Sequence, residues 1–390
     1  MPPGIWALGL VSMFMDVSSE LVHSLLPVFM VSVLGASMVT VGAIEGIAEA
    51  TAAFTKVFSG AISDHFGRRK RLVVLGYALG AVAKPLFPLA PTLGWVFAGR
   101  FLDRIGKGIR GAPRDALIAD ITPLEQRGLA YGLRQSLDSV GAFIGPMLAM
   151  LFMALFANDI QAALWIAVVP ALVAVAILVG AVHEPDRVRP GAGSRAPLRW
   201  AAVARLPRRY WLITALGALL TLARFSEAFL VLRAQDVGIA LRYVPAVMVV
   251  MSAVFAVAAY PAGAMADRFS RKKLLVAGLF VLIVADIVLA LADSPLLALL
   301  GAALWGLHMA LTQGLLSVLV AEAAPAELRG TAFGLFNLFG GGALLLASVI
   351  AGSLWAALGP PATFLAGALF AGVATIGLLA FRTAPGIARP

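Results

Sequence analysis

The sequence predicts an all-α integral membrane protein whose twelve transmembrane helices form two pseudo-symmetric six-helix bundles. Composition is the first reason: 61% of the 390 residues are hydrophobic and 13% charged, where soluble domains run at about 45–50% apolar and about 25% charged. Length is the second. Twelve apolar stretches approach the ~20 residues that cross hydrocarbon as a helix, running approximately 5–33, 40–62, 72–90, 94–119, 128–156, 162–182, 210–233, 242–265, 274–292, 296–322, 331–356 and 362–381. The third is an internal repeat. Gly60-Ala-Ile-Ser-Asp64-His-Phe-Gly67-Arg68-Arg69-Lys70 returns as Gly263-Ala-Met-Ala-Asp267-Arg-Phe-Ser-Arg271-Lys272-Lys273 at an offset of 203, and Leu117–Arg134 returns as Leu319–Phe336 at an offset of 202. The one long polar connection, 183–209, carries seven arginines and four prolines. It divides the chain into an N-terminal bundle (1–182), a linker (183–209) and a C-terminal bundle (210–390).

Charge fixes the expected orientation. The net charge is +10, and 19 of the 30 Lys and Arg fall in alternate loops, the linker and the C-terminal tail. Cytoplasmic loops carry such an excess, so both termini and the linker are expected in the cytoplasm, with the basic residues explained by topology and not by nucleic acid. Absent cysteine excludes disulfide staples and thiolate metal sites. Met1–Val33 has no basic n-region or cleavage site and reads as a retained span.

Along the chain, the ionisable residues inside the spans are unevenly placed. Span 1 has Asp16, Glu20 and His23 at i, i+4 and i+7, on one helix face. Span 2 repeats the device with Glu45, Glu49 and Lys56, and span 3 has Lys84 beside Pro85. In span 4, Arg100, Asp103, Arg104, Lys107, Arg110, Arg114 and Asp115 fall within an arc of about 140° at 100° per residue, a stripe that cannot face lipid. Span 5 holds Arg134 and Asp138, followed by Gly141 and Gly145-Pro146, and span 6 is uncharged. The second half keeps only Arg224 and Glu227 in span 7, Asp286 in span 9, His308 and Gln313 in span 10 and Asn337 in span 11, with Gly340–Gly342 allowing close helix approach. Spans 8 and 12 carry no interior charge.

These motifs resemble the major facilitator superfamily of secondary transporters, and its bacterial proton-antiporter and drug-efflux branches in particular. Gly60 to Lys70 is similar to the family signature between spans 2 and 3, with Ser270 replacing Gly in the second copy. Asp120 to Arg127 and Glu322 to Arg329 have the family's acidic-x6-Arg spacing. Arg100 to Asp103 resembles its span 4 motif, with Asp for Gln and Arg104 for Gly, and Gly141 to Pro146 resembles the G-x-x-x-G-P element of the antiporters. The resemblance implies that spans 1, 2, 4 and 5 line the N-terminal half of a central cavity, a division that the charges follow except at Lys84. It also implies a cytoplasmic gate of Gly60, Asp64, Gly67, Arg68, Arg69, Asp120, Arg127, Asp267, Arg271, Glu322 and Arg329, whose ion pairs form when that side shuts and break when it opens.

Three readings compete for the buried charges. Seven acids and seven bases in the N-terminal spans favour mutual ion pairing. Asp16, Glu20, Glu45 and Glu49 suit proton coupling, because spans 1 and 2 contain no arginine to hold them ionised. Arg100, Arg104 and Lys107 suit an anionic substrate group, and Asp16, Glu20 and His23 a cationic one. The last trio is also the one candidate metal site. The expected protein is a transporter of the cytoplasmic membrane, functional as a monomer and not an enzyme, without cofactor or nucleic acid partner. It would exchange a small organic and possibly anionic compound for protons, through Asp16, Glu20, His23, Glu45, Glu49, Arg100, Asp103, Arg104, Lys107, Arg134, Asp138, Arg224, Glu227 and His308. Transport of a transition metal or its chelate, and a non-transporting receptor or scaffold, are the alternatives.

Overall fold

A computed structural model describes residues 2–66, 69–184, 203, 205–312, 315–325 and 328–380. Gly67, Arg68 and nearly all of the linker lie outside the described residues, as do the side chains of Asp64 and Asp267. The described chain is helical, and the twelve expected spans are all present. Spans 1 to 6 are Pro3–Val33, Met38–Phe66, Arg69–Ala83 extended by Lys84–Leu86, Leu93–Ile121, Arg127–Leu155 and Ile160–Ala181. Span 7 is split into Arg208–Leu222 and Ala228–Asp236; spans 8 and 9 are Ala246–Arg268 and Arg271–Leu291. Span 10 comprises Pro295–Thr312 and Leu315–Ala323, and spans 11 and 12 are Arg329–Leu358 and Pro360–Ala380. Eight helices among the described residues are long and apolar enough to cross a membrane by composition alone. The other four are the short or broken spans 3 and 7 and the charge-bearing spans 2 and 4, whose charged side chains turn to the bundle interior and the cavity between the halves.

Local chemistry explains the boundaries. Pro27 sits inside span 1 and the helix ends in a π turn, Phe29–Val33, before Gly35 reverses the chain at φ 67°. Asp159 caps span 6 by accepting from the Ala162 N–H at 3.0 Å. Ser270, the residue that departs from the repeated signature, caps span 9 by accepting from the Lys273 N–H at 3.3 Å. Its first-half counterpart is capped differently: the Glu184 carboxylate, arriving after span 6, accepts from the backbone N–H of Arg69 at 2.7 Å and of Lys70 at 3.3 Å.

Spans 3, 6, 9 and 12 present large apolar side chains outward, among them Val82, Leu172, Phe280 and Leu369. Towards the end opposite the arginine-rich loops, one hydrophobic core joins both halves, including Leu25, Phe29 and Met30 of span 1 with Phe229, Leu232 and Trp355 of spans 7 and 11. At the basic end the cores are separate. One contains Leu8, Tyr77, Leu117 and Ala130 of the first half, the other Tyr210, Val320 and Ala332 of the second. The halves are therefore joined at one end and parted at the other.

The joint is made by spans 2 and 11. Gly42 lies against the Ser348 carbonyl and Gly352 against the Met38 carbonyl, so close that no Cβ fits at either glycine. Beside them the Gln235 side chain donates to Ser32 Oγ at 2.9 Å, tying span 7 to span 1.

Candidate functional site

Where the halves part, two connected cavities of about 730 and 530 Å³ occupy the space between them, sharing Glu20, Glu49, Lys107, Thr221 and Ser252 in their walls. The larger lies towards the basic end and is lined by Asp16, Lys56, Arg110, Arg114, Asp115, Arg134 and Asp138. The deeper one reaches His23, Arg104, Arg224, Phe225, Glu227, Met251 and Trp305. Most of the charge comes from the first half; the second contributes Thr221, Ser252, Phe255, Phe336, Asn337 and Leu344, with Arg224 and Glu227 at the break in span 7.

Helix packing places the span 1 carboxylates. Gly141 of span 5 approaches span 1 so closely that an added Cβ would stand 2.6 Å from the Met13 carbonyl oxygen and 2.9 Å from Asp16 Cβ. Gly145, one turn on, would meet the Val17 carbonyl oxygen at 2.7 Å and Glu20 Cβ at 3.0 Å. The glycine pair thus holds the Asp16–Glu20 face against span 5.

Span 4 satisfies most of the acids. Arg100 donates to Glu45, with side chains 2% and 0% exposed, and Arg104 Nη1 pairs with Glu49 at 3.2 Å. Arginines therefore reach the span 2 carboxylates from span 4, contrary to the expectation that Glu45 and Glu49 lack a cation. Lys84 donates to Asp103 at 2.8 Å and to Ser19 Oγ at 3.0 Å, entirely buried. This makes Lys84, the exception to the outward-facing rule for span 3, part of the charge network. Arg134 pairs with Asp138 at 2.8 Å, Arg114 with Asp115 at 3.1 Å, and the Arg110 guanidinium lies 4.7 Å above the Tyr77 ring.

What remains unpaired is informative. His23 Nδ1 stands 3.5 Å from Glu20 and its Nε2 3.9 Å from Glu45. Among the described residues Asp16, Lys56, Lys107, Arg224 and Glu227 have no hydrogen-bond or ion-pair partner, although all five line the cavities. Glu45, Arg100, Asp103 and His308 of the expected set lie behind the cavity wall; His308 is fully buried, with Nδ1 2.7 Å from the Gly278 carbonyl oxygen. Asp16, Glu20 and His23 do not converge on a metal position, and no such cluster occurs among the described residues.

In the signature loops, two of the expected gate residues on each side are described in pairs. Arg69 donates to Asp120 at 2.9 Å and Arg271 to Glu322, each pair separated by 51 residues. Both pairs exist while the basic end is parted, and each lies within one half. They hold the loop to span 4 or span 10 and do not join the halves. Arg329 Nε donates to the Ala321 carbonyl at 3.2 Å, again locally, and Gly60 packs against Ala112. The pairing registers Arg69 with Arg271 at offset 202, one residue away from the motif alignment, so the second loop is one residue shorter.

The family model described as Major Facilitator Superfamily matches residues 8–232 and 227–390. The MFS-type transporter MJ1317 of Methanocaldococcus jannaschii is 31% identical over 383 residues, covering 96% of this chain and 94% of that one. The multidrug resistance protein MdtH of Yersinia enterocolitica is 32% identical over 130 residues, 33% of this chain and 32% of that one. Among solved structures, a D-xylose-proton symporter superposes with a TM-score of 0.77 at 16% identity, covering 97% of each chain.

Proposed function

Because the chain belongs to the major facilitator superfamily, we propose that it exports a small organic compound across the cytoplasmic membrane in exchange for protons, by rocking its two halves about the central cavity. The observation that carries this reading is Asp16. It is the one first-half carboxylate lining the cavity that has no cation or histidine partner among the described residues. An unpaired carboxylate in that setting is costly when ionised and free to take up a proton. Glu20, paired among the described residues with His23 alone at 3.5 Å, is the adjoining relay. Lys56 and Lys107, unpaired on the same wall, supply the contact for an anionic group on the substrate.

The basic end is cytoplasmic in this reading, and the structure corresponds to the state open to that side. The partial likeness to MdtH supports export, and the unpaired charges around a cavity of about 730 Å³ disfavour a scaffold, which has no use for them. The chain acts as a monomer. Proteoliposomes with an imposed pH gradient, loaded with a panel of organic anions, test the proposal: gradient-driven flux is expected in the wild type and lost when Asp16→Asn and Glu20→Gln are combined. Flux that ignores the gradient and survives both substitutions overturns it.

A further inference from the structure

The two signature pairs and the glycine contacts superpose the halves at an offset of 202. Gly76 packs against Arg110 and the Gly106 carbonyl, and Gly278 against Thr312 and the His308 carbonyl, the same three positions in each half. On this register Lys84 corresponds to Asp286 and Asp103 to Trp305. The first half therefore has a buried cation satisfied by a carboxylate where the second has a buried carboxylate, with an aromatic residue at the position of its partner.

Asp286 is fully buried, and neither of its oxygens has a hydrogen-bond partner among the described residues. Its carboxylate and the Phe225 ring meet at Gly367 of span 12, where an added Cβ would stand 2.6 Å from Oδ2 and 3.0 Å from the ring. Phe225 packs edge-on against Trp305 and Phe364, with centroids 5.3 and 5.5 Å apart. Phe225 and Trp305 also line the deeper cavity, so the Phe225 ring stands between that cavity and the Asp286 side of Gly367. Phe225 itself stands on the non-helical segment that interrupts span 7 between Leu222 and Ala228, backbone tolerated at this depth because it borders a cavity.

The titratable groups on the surrounding spans leave the carboxylate alone. Arg224 and Glu227 flank Phe225 at the break and face the cavity. His308 of span 10 is engaged with Gly278. Arg233 of span 7 is bound to the Leu289, Ala290 and Ala292 carbonyls and to Asp236. Span 12 contributes no charged residue. An anion held there without a partner is among the most expensive arrangements in a membrane bundle.

We propose that Asp286 is a second proton site, in the C-terminal half, closed off from the cavity by Phe225 and opened to it when the break in span 7 moves. On opening, the Oδ–H bond breaks, the proton passes to cavity water, and the carboxylate remains as an anion until the cavity returns a proton. The proposal rests on the proton-exchange reading for its use in transport, but the protonated site itself does not.

The test uses two carbodiimides on the purified full-length chain. Dicyclohexylcarbodiimide reacts with protonated carboxyls in apolar surroundings, whereas a water-soluble carbodiimide with an added amine reports carboxyls open to water. Peptide mass spectrometry is expected to find the apolar adduct on Asp286 in the wild type and in Asp16→Asn, decreasing as pH rises. The water-soluble reagent is expected to spare Asp286 in the wild type and modify it in Phe225→Ala. Asp286→Asn is expected to melt no lower than the wild type in detergent. Absence of the apolar adduct, equal modification by both reagents in the wild type, or a marked loss of stability in Asp286→Asn overturns the proposal. Transport that ignores a pH gradient would instead overturn the exchange reading and leave an Asp286 adduct standing.

Discussion

Glu45 of span 2 and Arg100 of span 4 form an ion pair with neither side chain more than 2% exposed, behind the wall of the central cavity. The bond holds two cavity-lining helices in register and completes the chain of contacts from His23 to Arg100. Removing one partner leaves the other charge buried without compensation, which costs about 3–5 kcal/mol. Glu45→Ala is accordingly expected to lower the melting temperature in detergent sharply, and Glu45→Leu with Arg100→Met to recover most of the loss. Equal destabilisation by the single and double replacements would contradict the pairing.

The glycines of span 5 act through backbone contact. Gly141→Ala places a methyl against the Met13 carbonyl, and overpacking of this kind costs about 1–3 kcal/mol. Gly132→Ala meets nothing within 4 Å and is expected to be neutral or to gain up to about 1 kcal/mol in helix propensity. Melting curves of the two variants, measured side by side, check the contrast.

The signature pairs differ in burial, with side chains 15% and 24% exposed for Arg69–Asp120 against 34% and 46% for Arg271–Glu322. Exposed pairs contribute about 0–1 kcal/mol. Arg271→Gln is expected to leave stability nearly unchanged, and Arg69→Gln to lower it more. A double-mutant cycle on each pair measures the difference directly, and a larger coupling in the second half would refute the ranking.

The joint between spans 2 and 11 is testable because the chain has no cysteine. Ser348 is fully buried beside Gly42, so a cysteine there is expected to react with a membrane-impermeant thiol reagent only when that end opens. Gly352→Leu, forced against the Met38 carbonyl, is expected to raise the labelling rate of Ser348→Cys by about tenfold or more, as a shift of about 1.4 kcal/mol or more requires. Unchanged labelling would show that the glycine contact does not hold this end shut.

On the substrate side, Lys56→Met and Lys107→Met together are expected to suppress flux of organic anions while sparing neutral compounds. The same panel in proteoliposomes reads both. Equal loss for anionic and neutral compounds would point to damage of the bundle and not to a lost charge contact.

The spans, the two-bundle division and the first-half charge stripe were legible because each depends on the order of residues along one helix. Partner identity was not, since it depends on how helices are rotated and staggered against one another. Glu45 and Glu49 looked free of arginine within their own helix, yet span 4 supplies Arg100 and Arg104 across the interface. Lys84 looked anomalous until Asp103 was found opposite it, and the same register exposes Asp286 as its unpaired counterpart. Ser270 read as decay of a motif, but the hydroxyl takes over the capping task that Glu184 performs in the other half. His308 shares the polarity of a cavity residue, and only tertiary packing directs it to Gly278.

The glycine joint has a thermodynamic consequence for the transport cycle. Glycine has no rotamers to freeze, whereas closing a contact made of long side chains costs up to about 2 kcal/mol of ordering for each one. Parting Gly42 from Ser348 and Gly352 from Met38 therefore releases almost no side-chain entropy. The glycine contacts themselves therefore add little side-chain ordering to the cost of shutting that end. The ordering at that end falls instead on the larger side chains of the shared core, Phe29, Met30, Phe229 and Trp355 among them, while protons and substrate act on the charges around the cavity.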